Sequence, residues 1–304
     1  MNNVSIITVN FNQSFVTEEL LSSITTTNTY PNIEIIIVDN GSKVNDVPGW
    51  QIKYPDIKFI RSDINLGFAG GNNLGIKAAT GEYLFFVNND TVFTPKLIDI
   101  LVADLDDHPE VGMISPKLRY FDEPDMIQYA GYTNMNYYTC RNACIGQFEI
   151  DKGQYDNIIA PTGYIHGAAM MVRREAIEKA GLMAENFFLY FEEYDWCDHV
   201  KKAGYQVWVD TRAMIYHKES VSVGKASGLK EYFMNRNRIL FIRRNAPIQA
   251  RLFFYIYFIA IVTPRNVLSY IKKGYKGFAK LLFKAIWWNI TQSTDSKKLG
   301  YPVK

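Results

Sequence analysis

IEIIIVDNGS, residues 33–42, is the stretch of sequence that decides the fold. Its apolar run, interrupted only by Glu34, is typical of a parallel β-strand that helices cover on both faces. The run ends at Asp39, and a strong turn sequence follows from Asn40 to Ser42. Ligands bind at the carboxyl ends of strands in such sheets. The stretch therefore predicts an α/β fold with a binding site beside Asp39.

The flanking sequence repeats this arrangement of strand and helix on both sides. Strands are predicted at 4–9, 58–61 and 83–87, and helices at 15–24, 70–80 and 95–105. This alternating order predicts a mostly parallel sheet with right-handed crossovers. Later strands are predicted at 167–172, 207–209 and 213–217, with helices beginning at 174 and 194. Residues 112–166 lack such a pattern and are predicted to form short strands and loops that shape an acceptor cleft.

The distribution of charge divides the chain of 304 residues in two. Residues 1–224 hold 17 Lys and Arg against 29 Asp and Glu, whereas residues 225–304 hold 16 against 2. A basic segment attached to an acidic body indicates an anionic partner such as a membrane surface, a phosphate-rich ligand or nucleic acid. The three cysteines and the strand-like first ten residues predict a reducing compartment and no signal peptide.

The basic segment also carries the longest apolar patterns. Residues 252–263 form an apolar run that ends at Pro264, and twelve residues are too few for a spanning helix, which needs about 20. Residues 267–286 are predicted to form one amphipathic helix with lysines opposite an apolar face, followed by Trp287 and Trp288. Such a helix lies in the plane of a membrane surface or packs on the protein's own core. The excess of positive charge favours the membrane.

Three further segments carry residues suited to chemistry on a nucleotide sugar. Asp90 ends a predicted strand in the sequence Asn-Asn-Asp, where it could bind a divalent cation or simply form a turn. Asp39 could accept hydrogen bonds from a base or a ribose, or act as a cap. The glycine-rich residues 65–73 precede a helix and resemble a phosphate cradle.

The fourth segment, residues 187–196, places carboxylates among aromatic side chains. Burial among aromatic rings raises the pKa of a carboxyl group, which suits a general base. Glu192, Glu193 and Asp195 are the candidates. The alternative is that Glu192 and Asp195 only cap the helix that follows.

Together these segments resemble glycosyltransferase family 2, the inverting enzymes with the GT-A fold, and especially rhamnosyltransferase-like members from bacteria. The resemblance covers residues 3–245, and its order of motifs is specific although each motif alone is weak. The matching stretches are 4–12, 38–42, 65–73, 80–90, 167–174 and 187–204, extended by His217 and by residues 236–238.

The resemblance implies a role for each matching residue. Asp39, Asn10 and Asn12 would bind the nucleotide of the donor. Asp90 would hold Mg²⁺ or Mn²⁺, and His217 would approach the metal or the diphosphate. The residues that would border the phosphates and sugar of the donor are Asn65, Gly67, Gly71, Asn72, Asn89 and Gly167.

Glu193 matches the catalytic base of the family, but two positions depart from the usual pattern. The metal motif has only one carboxylate, Asp90, because Asn88 and Asn89 precede it. The family's Glu-Asp pair is Glu192-Glu193 here, so that Glu192 or Asp195 could also be the base.

The sequence thus predicts an inverting transferase that moves a sugar from a UDP- or dTDP-sugar to a hydroxyl of a saccharide or lipid-linked saccharide. It would build cell-surface polysaccharide from the cytoplasmic face of the membrane. Residues 1–228 would form the GT-A domain, with the nucleotide bound by 1–110 and the acceptor by 111–228. Residues 229–304 would form a basic helical tail that contacts the membrane through 252–290.

Two other classes of protein remain open at this stage. A non-catalytic scaffold that binds nucleotide sugars or glycans would explain the single metal carboxylate. A nucleic-acid-binding protein would explain the basic segment, but its apolar face and paired tryptophans suit lipid better. The sequence leaves open whether the chain forms a homodimer.

Overall fold

The computed structural model describes residues 2–218 and 227–303, which form a mixed sheet with helices on both faces. The first half of the sheet is parallel, in the order β3-β2-β1-β4. Its strands are β1 (Val4–Asn10), β2 (Ile33–Asn40), β3 (Lys58–Ser62) and β4 (Tyr83–Val87).

The second half of the sheet is mixed and continues from β4 in the order β9-β6-β10-β5. Strand β9 is antiparallel to both β4 and β6, whereas β6 and β10 are parallel. Its strands are β5 (Thr91–Val92), β6 (Val111–Tyr120), β7 (Ile127–Tyr129), β8 (Ile159–Pro161), β9 (Ala169–Arg173) and β10 (Gln206–His217).

Helices cover the two faces of the sheet and form a hydrophobic core on each. Alternate residues of one strand enter opposite cores, as Ile6 and Ile7 of β1 do. One core contains α1 (Ser14–Thr27), α2 (Val47–Lys53) and α4 (Leu97–Asp107), and the other contains α3 (Gly67–Ala78), α5 (Arg174–Ala180) and α6 (Glu192–Lys202). The predicted α/β class with a helix-covered sheet is therefore confirmed.

The C-terminal segment begins with a helix that belongs to this core. Helix α7 (Gly228–Asn245) buries Leu240, Phe241 and Ile242 in the same cluster as α3 and α6. The division predicted at residue 228 therefore does not coincide with a division of the core. The later helices are α8 (Ile248–Tyr257), a π-helical turn (Phe258–Val262), α9 (Thr263–Lys272) and α10 (Phe278–Thr291).

The structure corrects the predicted course of these later helices. The apolar run does not end at Pro264, because α8, the π turn and α9 form one helix of 25 residues. The π turn lies just before Pro264, which occupies the first turn of α9. The missing N–H of the proline is tolerated at that position. The single amphipathic helix predicted for 267–286 is also wrong. Gly274 (φ 67°) and Gly277 (φ 90°) break it into α9 and α10.

Two strand predictions were incomplete. Strand β6 lies almost entirely within residues 112–166, where only short strands and loops were predicted. Pro116 lies in its middle, and a proline is unusual inside a central strand. The proline is tolerated because it pairs with Asp210 where β10 bulges. That bulge also explains why β10 was predicted as two strands, at 207–209 and 213–217.

Candidate functional site

The carboxyl ends of β1 and β2 bring three predicted donor-binding residues together. Asn10 donates from Nδ2 to Asp39 Oδ1 at 3.0 Å and to Ser42 Oγ at 3.1 Å. The backbone N–H of Asn12 donates to the same Ser42 hydroxyl at 2.8 Å. Asp39 is buried, with 1% of its surface exposed. The polar turn after β2 is therefore fixed against the end of β1 as a preformed pocket wall.

Arg61, at the end of β3, is a partner of Asp39 that sequence reasoning missed. Its Nη1 donates to Asp39 Oδ2, and its Nη2 donates to the backbone oxygen of Ser42 at 2.8 Å. A carboxylate offers about four lone-pair positions, so that Asp39 keeps capacity for a further donor. The charge of the pair is balanced before any ligand binds.

The glycines that open α3 are explained by close packing. A Cβ on Gly67, which has φ +74°, would lie 2.1 Å from the backbone oxygen of Phe188. A Cβ on Gly71 would lie 2.9 Å from Val9. Asn65 accepts from the Gly67 N–H at 2.9 Å, and Asn72 donates to the Phe68 oxygen at 3.0 Å. These contacts fix the start of α3 beside the pocket, and the roles of all four residues toward a donor stay predictions.

The residues predicted to hold a metal meet where β4 and β10 end. His217 Nε2 lies 3.1 Å from Asp90 Oδ1, and both side chains are almost fully buried. Asn89 donates to Thr17 Oγ1 at 3.1 Å, which fixes the turn that carries Asp90. The sequence places these two ligands 127 positions apart, and the antiparallel pairing of β10 with β5 brings them together.

Gln128, which sequence reasoning missed, sets the orientation of the His217 ring. Its amide oxygen Oε1 lies 2.9 Å from His217 Nδ1 and can only accept, so that Nδ1 carries a proton. Nε2 then carries the lone pair, and it lies 3.4 Å from Asn88 Nδ2 and 3.1 Å from Asp90 Oδ1. This arrangement, in which the second ring nitrogen of a histidine is held by a neighbour, is usual for metal ligands.

These residues fit a divalent cation. Asp90 Oδ1 is buried and has no aligned hydrogen-bond donor among the described residues. A carboxylate oxygen that faces an imidazole nitrogen at 3.1 Å needs a cation or a second ring proton between them. No cluster of three or more His, Cys, Asp or Glu occurs in residues 2–218 and 227–303. The protein thus offers two ligands, and further oxygens would have to come from a bound diphosphate or from water.

Glu193 lies in the first turn of α6, near the start of β9. A Cβ added to Gly167 would lie 3.7 Å from Glu193 Cγ, so the two residues are neighbours. The backbone of Asn88 donates to Ala168 O at 2.9 Å, which joins this segment to the turn that carries Asp90. Burial raises the pKa of Glu193 to about 7. A carboxyl group that titrates near neutral pH suits a general base.

The other two candidate carboxylates are placed differently. Glu192 is 3% exposed, and burial together with the charge of Glu193 raises its pKa well above the ordinary value. Asp195 lies two residues beyond Glu193 and therefore on another face of α6. It accepts hydrogen bonds from Arg244 Nε at 2.9 Å and Asn245 Nδ2 at 2.6 Å. Asp195 thus joins α6 to α7, and neither it nor Glu192 caps the helix.

The loop that delivers Glu193 is held by α7. Phe188, Tyr190 and Phe191 all have positive φ angles, between 65° and 73°, which non-glycine residues rarely adopt. Asn237 shares its amide hydrogens among the backbone oxygens of Phe187, Leu189 and Tyr190, at 2.7–2.9 Å. Strain of this kind persists only where surrounding contacts maintain it. The position of Glu193 therefore depends on Asn237.

Aromatic rings line the cleft beside Glu193. The ring of Tyr194 lies edge-on to Tyr132, with centroids 5.7 Å apart, and His166 stacks parallel to Tyr132 at 6.5 Å. His166 also lies 6.0 Å from His217, and burial lowers its pKa, so that it is neutral. His166 therefore lies between the ring of Tyr132 and the ring of His217.

A mixed sheet flanked by helices in this arrangement is the GT-A fold of glycosyltransferases. The chain belongs to glycosyl transferase family 2, whose family model matches residues 5–181. In fold it is similar to a mannosyltransferase from Pyrobaculum calidifontis in complex with GDP-Man and Mn²⁺, with a TM-score of 0.56 and 15% identity. That comparison covers 95% of this chain and 87% of the other.

Two relatives are similar to it along most of their length. An N-acetylglucosaminyl-diphospho-decaprenol L-rhamnosyltransferase of Mycobacterium tuberculosis is 24% identical over 223 residues, 66% of this chain and 71% of the relative. A low-salt glycan biosynthesis hexosyltransferase of Haloferax volcanii is 26% identical over 245 residues, 79% of this chain and 75% of the relative. The predicted family is therefore confirmed, and the protein is a glycosyltransferase.

Proposed function

We propose that this glycosyltransferase moves a hexose or rhamnose from a UDP- or dTDP-sugar to a hydroxyl of a saccharide or lipid-linked saccharide, with inversion at the anomeric carbon. The product would enter a cell-surface polysaccharide. The observation that carries the proposal is that Glu193 neighbours Gly167, one backbone hydrogen bond from the turn that holds Asp90. This proximity supports a base and a metal site that serve one cleft.

The pocket at the ends of β1 and β2 would bind the nucleotide. Asp39 is oriented by Asn10 and Arg61 and can accept from a base imide or a ribose hydroxyl. Asn12 has φ +56°, and its side chain accepts from the Lys43 N–H at 2.8 Å, which closes the same wall. The start of α3, from Asn65 to Asn72, would border the sugar and its phosphates.

Asp90 and His217 would hold Mg²⁺ or Mn²⁺ together with the donor diphosphate. The bound cation supplies positive charge that stabilises a departing nucleoside diphosphate. Gln128 keeps the Nε2 of His217 available, and Asn89 fixes the turn.

Glu193 would accept the proton of the acceptor hydroxyl. The hydroxyl oxygen then forms a bond to the anomeric carbon while the bond from that carbon to the phosphate oxygen breaks on the opposite face. Attack from the opposite face inverts the centre. Glu192 stays protonated in its buried position, so that the two adjacent carboxyls need not both be ionised.

A membrane surface would present the acceptor, as the name of the mycobacterial relative, which specifies a diphospho-decaprenol, suggests. The 25-residue helix from 248 to 272 is long and apolar enough to cross a membrane by length and composition. One of its edges is buried at Ala250, Phe254, Phe258, Val262 and Tyr270, so that the helix packs on the body of the protein. We therefore propose that it rests in the plane of the inner face of the cell membrane.

The exposed side of these helices supports that proposal. Large apolar side chains at least half exposed stand beside the exposed lysines Lys280 and Lys284 of α10. An apolar face flanked by lysines is what a surface of anionic lipid binds. The exposed apolar residues are Ile248, Leu252, Phe253, Ile256, Ile259, Ile261, Leu268, Ile271, Phe283, Trp287 and Ile290.

The donor site is tested by thermal unfolding with UDP, dTDP, GDP or CMP, with and without Mn²⁺. A ligand that binds the native state raises the melting temperature. We expect UDP or dTDP to raise it, more strongly with Mn²⁺, and Asp39→Ala to remove the effect. Stabilisation by GDP or CMP alone would refute the proposed donor, and no stabilisation by any nucleotide would favour the non-catalytic scaffold.

The base is tested by Glu193→Gln, which keeps the shape of the side chain but cannot accept the proton. Loss of a general base lowers turnover by about 10²–10⁴-fold. Nucleotide binding should persist in this variant. Glu178→Gln, on the exposed face of α5, is the matched control and should keep its activity. Near-normal turnover in Glu193→Gln would exclude this residue as the base.

A further inference from the structure

A cavity of about 390 Å³ lies between the N-terminal half of α7 and the connection from α9 to α10. Three cationic side chains line it: Lys230 and Arg238 of α7, and Lys273 after α9. We propose that this cavity binds the phosphate or diphosphate ester of a lipid-linked acceptor, an inference that rests on the transferase function proposed above. The cavity would bind the acceptor through the phosphate or diphosphate that links the sugar to the apolar lipid chain.

The charge of the cavity favours an anion. Glu231 is the one carboxylate that lines it within the described residues. Its Oε1 accepts hydrogen bonds from the Tyr270 hydroxyl and from Asn235 Nδ2, so that this carboxylate is already engaged by the protein. The three cations therefore outnumber the carboxylate, and the excess charge faces a space large enough for a diphosphate.

Arg238 has an unmet capacity to donate hydrogen bonds. Its Nη2 donates to the Thr139 oxygen at 2.6 Å, but its Nε is buried and has no partner among residues 2–218 and 227–303. A buried donor without a partner is costly, and a guanidinium group matches phosphate oxygens in geometry. Burial lowers the pKa of Arg238, which is the cost that a bound anion would offset.

The cavity adjoins the proposed base through Lys230. The Lys230 Nζ lies 6.0 Å from the centre of the Tyr190 ring, and Tyr190 immediately precedes the turn into α6. Tyr190 is two residues before Glu192 and three before Glu193 in the chain. The cationic cavity therefore lies close to the segment that carries the two glutamates. A sugar attached to a phosphate in the cavity would extend toward Glu193.

The other rim of the cavity is apolar and continues onto the exposed helices. The rings of Tyr275 and Phe278 line it, with their centroids 5.0 Å apart. Leu268 and Ile271 of α9 lie just before this rim and are 58% and 70% exposed. An apolar chain that leaves the cavity would thus pass directly onto the surface proposed to contact the membrane.

The test uses the full chain and isothermal titration with geranyl diphosphate, a short prenyl diphosphate, beside inorganic pyrophosphate and geraniol. We expect geranyl diphosphate to bind more tightly than either fragment. The double variant Lys230→Met/Lys273→Met should weaken its binding by about tenfold or more, because both charges contact the ester. The matched control, Lys77→Met/Lys152→Met, removes the same charge from exposed positions outside the cavity and should bind normally.

Binding that is equal in the two double variants would overturn the proposal, and so would pyrophosphate binding as tightly as the prenyl ester. Displacement of geranyl diphosphate by phosphatidylglycerol vesicles would support a phosphate-ester site whose source is a lipid headgroup. The rise in melting temperature with nucleotide reports the donor site separately. Failure of the prenyl diphosphate to bind the cavity can therefore be distinguished from failure of the nucleotide to bind the donor site.

Discussion

Helix α7 and the helices that follow it carry similar positive charge but place it in opposite environments. Arg236 of α7 is fully buried and donates to the backbone oxygens of Asn186, Phe187 and Leu299. Lys280 and Lys284 of α10 are exposed to solvent. The charge of Arg236 is used inside the fold, whereas the charges of Lys280 and Lys284 are available to an anionic surface. A count of basic residues in the sequence cannot separate these two uses.

The largest effect is expected from Arg236→Ala, which removes a buried side chain and its hydrogen bonds to three backbone oxygens. A hydrogen bond to a charged group contributes about 1.5–3 kcal/mol, so the free energy of unfolding should fall by roughly 5 kcal/mol. Urea denaturation measures this directly. Lys284→Ala should change the same free energy by less than about 0.5 kcal/mol. Equal losses in both variants would remove the distinction between α7 and α10.

Two adjacent tryptophans sharpen the comparison within α10. Trp288 is 5% exposed and donates to the Lys298 oxygen at 2.7 Å, whereas Trp287 is 64% exposed. Trp288→Ala should destabilise the fold by about 3–5 kcal/mol. Trp287→Ala should leave the melting temperature unchanged and reduce co-sedimentation with vesicles of anionic lipid. If Trp287→Ala bound vesicles normally, the exposed face would not be the membrane contact.

A smaller effect on stability, but a clear one on catalysis, is expected at Asn237. Asn237→Ala releases the strained loop before α6, so that Glu193 loses its fixed position. We expect kcat to fall by about 10–100-fold while KM for the donor stays the same, because the nucleotide pocket lies on β1 and β2. Steady-state kinetics on folded protein separate the two constants. A raised donor KM with normal kcat would contradict a positioning role.

The smallest effect should be a change in the pH dependence of stability. The pKa of Glu192 in the folded protein lies above its ordinary value of 4.5. At pH values above 4.5 the chain therefore takes up a proton when it folds. Stability from this group is complete below the unfolded pKa and is lost as pH rises toward the folded pKa. Glu192→Gln should therefore melt above the unmodified protein near pH 8 and equal to it near pH 4. Melting curves across this range would detect it, and a constant difference would contradict the cause.

The parallel half of the sheet was predictable because its strands are apolar runs that end in polar turns. The meeting of Asn10 with Asp39 follows from that pattern, since neighbouring strands end at one edge. Other contacts have no local signal. Gln128 reaches His217 across 89 positions, and Asn237 reaches Tyr190 across 47. Strand β6 was missed because Pro116 is acceptable only beside the β10 bulge, which depends on tertiary structure.

The orientation of α10 was missed for a related reason. Its aliphatic residues Leu282 and Ala285 pack against α7, so the strip that remains exposed is formed by Phe283, Trp287 and Ile290. A helical pattern identifies an apolar face but not its partner. The sequence pattern indicated amphipathic character over 267–286, but the break into two helices and the side turned toward solvent depend on the glycines and on α7.

The contacts of α7 with the loop at 187–190 also have a consequence for biosynthesis. A ribosome completes the nucleotide pocket at the ends of β1 and β2 long before α7 is synthesised, and domains fold as the nascent chain allows. The loop cannot form its contacts with Asn237 and Arg236 until α7 has been synthesised, and Arg236 lacks one acceptor until Leu299 follows. A nascent chain could thus hold a nucleotide sugar before it could activate an acceptor. Under the proposed mechanism, catalytic competence would therefore require the segment around Leu299 to have been synthesised.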